Sequence, residues 1–369
     1  MRTLARIIFV GVFALLATVA GTVAALVTVP PGKDLLARVV TEESNRLVRG
    51  SVSIGRIRGS FLTGLTLDSV VVRDTAGAML ADLPRLEIQF RLANLLARRV
   101  IFHRVRLVAP RLSVVKHRDG RMNYQEILRL NEGPAGSGPG TMFRLEDLTI
   151  EDGSLTLAIP WNPDGRLTTG RQRDSALAAE RAKPGRRIEP GVRSGDGLMT
   201  VRVVDQLGAK FVPMRVSTPD RLPFFAEIVS LSARVSDPGL TITDLAGRIT
   251  QGGDSLLFDL ERAALPNTVA AGGGRIDWPR DTVLYDFSLA ADRLDLVDLR
   301  WISPDFPALA GRGRVTAKSV AGSRTEYDLT GLQLADRSSR VAGRRLFNFN
   351  DFSAHFSHQP GHRWSSQIL

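Results

Sequence analysis

Cysteine is absent from all 369 residues. Disulfides, thiolate metal sites and a cysteine nucleophile are excluded, so an exported fold must hold by strand pairing and burial. Lysine is scarce: of 49 basic residues only Lys33, Lys116, Lys183, Lys210 and Lys318 are lysine. Aromatics make up only 6%. The net charge of +11 would suit nucleic acid, but the arginines are scattered among carboxylates and no RRM, KH or C2H2 signature is present. Nucleic acid is therefore not the expected partner. A Walker loop, a Gly-x-Ser-x-Gly elbow and a zinc-protease motif are also missing.

Two local clusters invite chemistry and fail on inspection. Gly272-Gly273-Gly274 leads into the strand pattern Arg275-Ile276-Asp277-Trp278, which is a turn or bulge rather than a phosphate cradle. His355, His358 and His362 have helical metal-ligand spacing. However, Phe352 to Phe356 alternates like a strand, and Pro360-Gly361 breaks the chain. No catalytic residue, metal ligand or cofactor site is expected, and the chain reads as a non-enzyme.

What is present first is one unbroken run of apolar or small residues, Ile7 to Val29, preceded by Arg2 and Arg6 and closed by Pro30-Pro31-Gly32. About 20 helical residues cross a hydrocarbon core, and the basic end stays cytoplasmic. The run predicts a single-pass inner-membrane anchor with the bulk of the chain in the periplasm. The alternative is a signal peptide cut after Thr22-Val23-Ala24, against which stands the usual apolar length of only about 7–15 residues.

Asp34 to Arg49 has helical spacing, with Asp34 as N-cap and Gly50 beyond the end. The period then drops from 3.6 to 2. Strands are expected at Ser51 to Arg58, Leu65 to Arg73, Leu86 to Phe90, Val100 to Leu107 and Arg111 to Lys116. Short helices are expected at Leu92 to Ala97 and Tyr124 to Leu130. Phe143 to Ile150 and Ser154 to Ile159 read as a hairpin around Glu151-Asp152-Gly153. Strands resume at Met199 and continue to the end, joined by short Gly, Asp and Pro connections. A weak internal repeat, Leu-x-Leu-x-Asp ending in an Asp/Gly turn, links Leu65 to Asp74, Phe143 to Asp152 and Leu240 to Gly247.

The order of these motifs resembles the N-terminal region of AsmA-like proteins, including the TamB branch. The residues are Ser51 to Ser60 leading into Leu65 to Val70, Leu92 to Val100 leading into Val105 to Leu112, and the turn Asp119-Gly120-Arg121-Met122-Asn123-Tyr124. The resemblance covers residues 1–130 and, loosely, 225–345. It implies a mainly β fold: a transmembrane helix followed by an elongated, curved antiparallel β-sheet groove. It further implies phospholipid transport between the inner and outer membranes in support of outer-membrane homeostasis. For the TamB branch it implies a scaffold role toward an outer-membrane assembly protein.

On that basis the chain divides into a cytoplasmic stub and anchor (1–32), an AsmA-like β region with short helices (33–131), a linker and hairpin (132–160), a disordered basic insertion (161–198) and a repeating β-groove region (199–369). The chain ends within a strand pattern at Gln367-Ile368-Leu369, as a fragment of a longer member would. The expected lipid-groove lining is Leu65, Leu67, Val71, Leu86, Ile88, Phe90, Val105, Leu107, Leu112, Val114, Leu155, Leu157, Ile159, Tyr285, Phe287 and Leu289. Each methylene sheltered from water is worth about 0.8 kcal/mol, so an apolar track would hold a long acyl chain by more than about 10 kcal/mol.

Overall fold

Alternating apolar and polar residues make half-buried strands, and in the computed structural model strands dominate. The structure describes residues 50–60, 63–74, 77–91, 99–124, 142–163, 169–183, 185–193, 195–217, 224–237, 239–278, 284–300, 306–320, 324–336, 340–341, 344–345, 348–358 and 365–368. The expected anchor, Arg2 and Arg6, the helices over 34–49 and 92–97, and the linker over 132–141 lie outside the described residues. Among the described residues no helix is long and apolar enough to cross a membrane. The chain forms two compact units, the first reaching Arg221 and also holding Ala233–Gly239, the second holding Leu222–Ser232 and Leu240–Leu369.

The first unit contains β1 (Ser51–Ser60), β2 (Gly64–Arg73), β3 (Met79–Phe90), β4 (Arg99–Val108), β5 (Arg111–Val115), β6 (Met142–Leu145), β7 (Leu148–Pro160), helix α1 (Gly170–Arg181), β8 (Arg187–Pro190) and β9 (Leu198–Ser217). It also holds the last residues of β10 (Phe224–Val235). β1, β2, β3 and β4 pair antiparallel in that order. β4 and β5 then act as one strand interrupted at Ala109-Pro110: both lie antiparallel to β3 and parallel to β7. β7 in turn pairs antiparallel with β9.

Three corrections follow. The hairpin expected around Glu151-Asp152-Gly153 does not form: β7 runs straight through it, and Asp152 takes a positive φ of 50°. β6 and β7 instead lie parallel to β4 and β5. Parallel pairing needs a crossover rather than a tight turn, and the chain between β5 and β6 supplies its length.

The second correction concerns residues 161–198, expected to lack structure. They contain α1, capped by Thr169 in a reciprocal box with Gln172, and β8, which pairs with β9. Long-range contacts hold them. Arg186 meets Asp237 at 2.7 Å and Glu180 at 2.7 Å, and His117 Nδ1 lies 2.9 Å from a buried Asp196 carboxylate oxygen. Local composition carries no sign of such partners.

The third correction is to side-chain facing. Simple alternation puts Val71 on the face of Leu65 and Leu67, but Val70 and Val72 are buried there and Val71 is only half-buried. Ser69, at φ 58°, shifts the phase of β2. The same level of the sheet carries Pro84 on β3, Ala109 (φ 50°) between β4 and β5, Asp152 on β7 and Gln206 (φ 51°) on β9. A row of bulge-like residues thus crosses the unit. Such irregularities bend and twist strands while keeping the apolar side facing in.

The second unit is an antiparallel meander. The first part of β10 pairs with β12 (Asp244–Gly252), which follows the short β11 (Leu240–Ile242). β13 (Ser255–Ala264), β14 (Val269–Asp277), β15 (Leu284–Asp295), β16 (Leu309–Val320), β17 (Arg324–Asp336), β20 (Asn348–His358) and β21 (Ser365–Ile368) then pair in succession. A 3-10 turn, Leu296–Leu299, follows β15. The two-residue strands β18 (Arg340–Val341) and β19 (Arg344–Arg345) pair only with each other.

Candidate functional site

In the first unit most of the expected lining is buried. Leu65, Leu67, Leu86, Ile88, Phe90, Val105, Leu107, Val114, Leu155 and Leu157 are all buried, with Leu67, Val105 and Leu107 at 0% exposure. Val71, Leu112 and Ile159 are half-buried. Among the described residues these side chains pack as core. The opposite face carries an ion ladder across successive strands. Arg58 meets Asp68 at 2.5 Å, Glu87 lies between Arg85 (2.8 Å) and Arg106 (3.7 Å), and Arg106 grips Glu151 through two 2.8 Å bonds. The hydrogen bond from Arg106 holds the Glu151 carboxyl below its ordinary range, against the opposing effect of desolvation. Arg234 does the same to Asp205. Asn123 of the expected Asp-Gly-Arg-x-Asn turn is buried. Its amide donates to Ser113 O, and its Oδ1 accepts from the backbone of Val115 and Tyr124. The turn motif therefore has a structural task, anchoring the chain that leaves β5.

The second unit differs. Its remaining expected residues, Tyr285, Phe287 and Leu289, sit on one face of β15 and are half-buried. Directly opposed residues on antiparallel strands share a face, so the register defines rows across the sheet. One row runs Ile249, Phe258, Gly274, Phe287, Ala317 and Tyr327. A second runs Leu260, Gly272, Leu289, Val315 and Leu329. A third joins Leu256, Ile276 and Tyr285. Most of these apolar side chains are half-buried rather than covered. The adjacent positions Asp286, Arg275 and Lys318 are exposed.

Large and small residues alternate along the first row, and sequence reasoning missed this. Gly274 lies between the rings of Phe258 and Phe287, whose centroids are 6.1 Å apart at a 55° tilt. A Cβ at Gly274 would collide with Cα and Cβ of Phe287. The Gly272-Gly273-Gly274 run is thus not the turn or bulge expected from its composition but a segment of β14 paired on both sides. Tyr285 meets Phe287 edge-on at 6.4 Å. Ala317 is 1% exposed, and its row neighbours are Phe287 and Tyr327. Burial, mainly, pushes the Tyr327 hydroxyl pKa up; Tyr285 adds to this and a hydrogen bond with Thr325 opposes it.

The rows end against a small core of Leu294, Leu309, Leu332 and Leu334, with Ala291 and Leu329 packed on it. His355 of the histidine cluster pairs with Asp328 at 2.7 Å. Among the described residues no group of three His, Cys, Asp or Glu side chains could hold a metal ion. No family model matches the chain, and neither does any curated protein or solved structure.

Proposed function

We propose that this chain is an inner-membrane-anchored periplasmic β-sheet protein that carries or conducts phospholipid between the inner and outer membranes, in support of outer-membrane homeostasis. The observation that carries the reading is the set of half-buried apolar rows on the second unit, backed by a polar opposite face. A sheet with one greasy side accessible shelters acyl chains by the hydrophobic effect and leaves headgroups in water. The anchor run supplies the tether. No bond is made or broken, so no catalytic group is required.

The lining of the proposed lane is narrower than the sequence alone implies. Tyr285, Phe287 and Leu289 belong to it, whereas the first unit's residues serve as core. A scaffold for an outer-membrane assembly protein is the second reading. It is favoured by the burial of most of the expected lining in the first unit and by sheet edges able to accept a strand.

Photocrosslinking in cells separates the two. Probes at Phe287 and Leu289 should crosslink to lipid, while probes at Asp286 and Leu67 should not. Lipid-free crosslinks to protein from all four sites would replace the lipid reading with the scaffold.

A further inference from the structure

The two ends of the second unit's apolar rows are unlike. At one end Leu294 of β15 enters the core with Leu309, Leu332 and Leu334, and Ala291 and Leu329 pack on it. That end is closed and aliphatic. At the other end β14 and β16 finish and β15 and β17 begin. There Tyr285 lies opposite Ile276, and Thr325 opposite Ser319. Tyr285 and Phe287, Ser319 and Ala317, and Thr325 and Tyr327 are each two residues apart on a strand, and the register does not shift over this stretch. All six therefore share the apolar face.

The polar groups at this end are joined to one another. The Tyr285 backbone N–H donates to Ser319 Oγ at 2.8 Å, and Ser319 Oγ lies 3.1 Å from Thr325 Oγ1. Thr325, itself buried, also bonds the Tyr327 hydroxyl. Trp278 follows β14 directly, and its backbone N–H donates to Asp254 O at 2.8 Å. Two of the chain's three tyrosines thus stand at this rim with a tryptophan, all half-buried. A ring with a polar tip suits the place where a greasy surface meets water. Hydroxyls and an indole carry no formal charge. The charged residues of the neighbouring row, Arg275, Asp286, Lys318 and Glu326, fall on the opposite face.

We infer that this neutral rim is the subsite for the glycerol-ester zone of a bound phospholipid, with the acyl chains running along β15 toward the leucine core and the headgroup outside. The inference rests on the lipid-carrying reading above. Ester carbonyls set among leucines would lose their hydrogen bonds to water without replacement, whereas the rim is built of hydroxyls. The orientation of the lipid follows from that asymmetry. So does its class: discrimination between headgroups needs an attracting or repelling charge, and the rim presents neither. The site therefore takes ester-linked phospholipids without regard to headgroup charge. From Tyr285 to Leu289 the strand advances about 13 Å, so these positions report the shallow and deep parts of the lane.

The test reads the depth of bound lipid from tryptophan fluorescence. The full chain keeps Trp278 as its sole indole, with Trp161, Trp301 and Trp364 changed to Phe. It is loaded from vesicles of phosphatidylcholine carrying a nitroxide quencher either on the headgroup or near the acyl terminus, then separated from them. Trp278 should be quenched more by the headgroup nitroxide. The order should reverse in a second chain whose sole indole is supplied by Leu289→Trp, with Trp278→Phe. Tyr285→Phe combined with Tyr327→Phe keeps both rings and should lower retained phospholipid roughly tenfold, the loss of two ordinary hydrogen bonds. Wild type loaded from equal phosphatidylethanolamine and phosphatidylglycerol should retain the two at the vesicle ratio. The same quenching order at both positions, unchanged retention by the double variant, or strong enrichment of one headgroup would overturn the inference while leaving lipid binding intact. No retained lipid in any chain, wild type included, would remove the lipid reading itself.

Discussion

The two units use the same alternation of apolar and polar residues to opposite ends. In the first, Leu65, Leu67, Leu86 and Ile88 are withdrawn from solvent; in the second, the equivalent strand positions Tyr285, Phe287 and Leu289 remain half-open. Both sheets are irregular, in different ways. The first unit has positive-φ residues at Ser69, Ala109, Asp152 and Gln206 along one level. The second unit's strands shift register between Leu260 and Ala263, Ala291 and Leu294, and Arg312 and Arg314, and place glycine at Gly272 and Gly274 where the rows would otherwise carry side chains. Period-2 patterning thus specifies a face, and does not by itself decide whether that face becomes core or surface.

The sharpest way to break the comparison is to place charge on the first unit's two candidate faces. Val70→Asp buries an unpaired carboxylate and should destabilise the unit by several kcal/mol, whereas Val71→Asp, half-buried, should cost much less. Denaturant midpoints of the two variants decide it, and equal losses would mean that the phase shift at Ser69 is wrong.

Truncation comes next. Leu67→Ala should cost about 2–5 kcal/mol by leaving a cavity, and Leu289→Ala less than about 1.5 kcal/mol, because its side chain is only partly withdrawn from water. Gly274→Val probes the second unit from the other side. It should disrupt β14–β15 pairing locally, read as faster amide exchange at Tyr285 to Leu289 with exchange at Leu65 to Val72 unchanged.

The smallest effect concerns acid. Glu151 and Asp205 have carboxyls held below the ordinary range by Arg106 and Arg234. Their contribution is complete above the unfolded-state values of about 4.3 for Glu and 3.9 for Asp, and it fades as pH falls through the lower folded values. Acid unfolding of the wild type should therefore be steeper than that of Glu151→Gln combined with Asp205→Asn, while the two differ by a constant amount above about pH 6. Both pairs are at the surface, so the change should be modest.

These contrasts also mark how far the sequence could be read. Most strands were visible because alternation is local: the expected segments at Ser51 to Arg58, Leu65 to Arg73 and Leu86 to Phe90 lie within β1, β2 and β3. The parallel placement of β6 and β7 was not visible, since a turn-like Glu-Asp-Gly reads the same whether the strand folds back or passes through. The slip from Leu67 to Val70 was written in the sequence, yet a single alternation through Leu65, Leu67 and Val71 fits almost as well. Residues 161–198 look disordered by composition because Arg, Pro and Gly dominate them. Their order comes from partners such as Asp237 and His117, distant in the chain.

The absence of cysteine makes one measurement direct. Single-cysteine variants Phe287→Cys and Leu67→Cys of the full chain can be labelled with a maleimide, with and without phospholipid vesicles, and every label then reports one site. The account predicts rapid labelling at position 287 that vesicles suppress, and negligible labelling at position 67 in either condition. Labelling at position 287 that lipid leaves unchanged, or equal labelling at both positions, would contradict it.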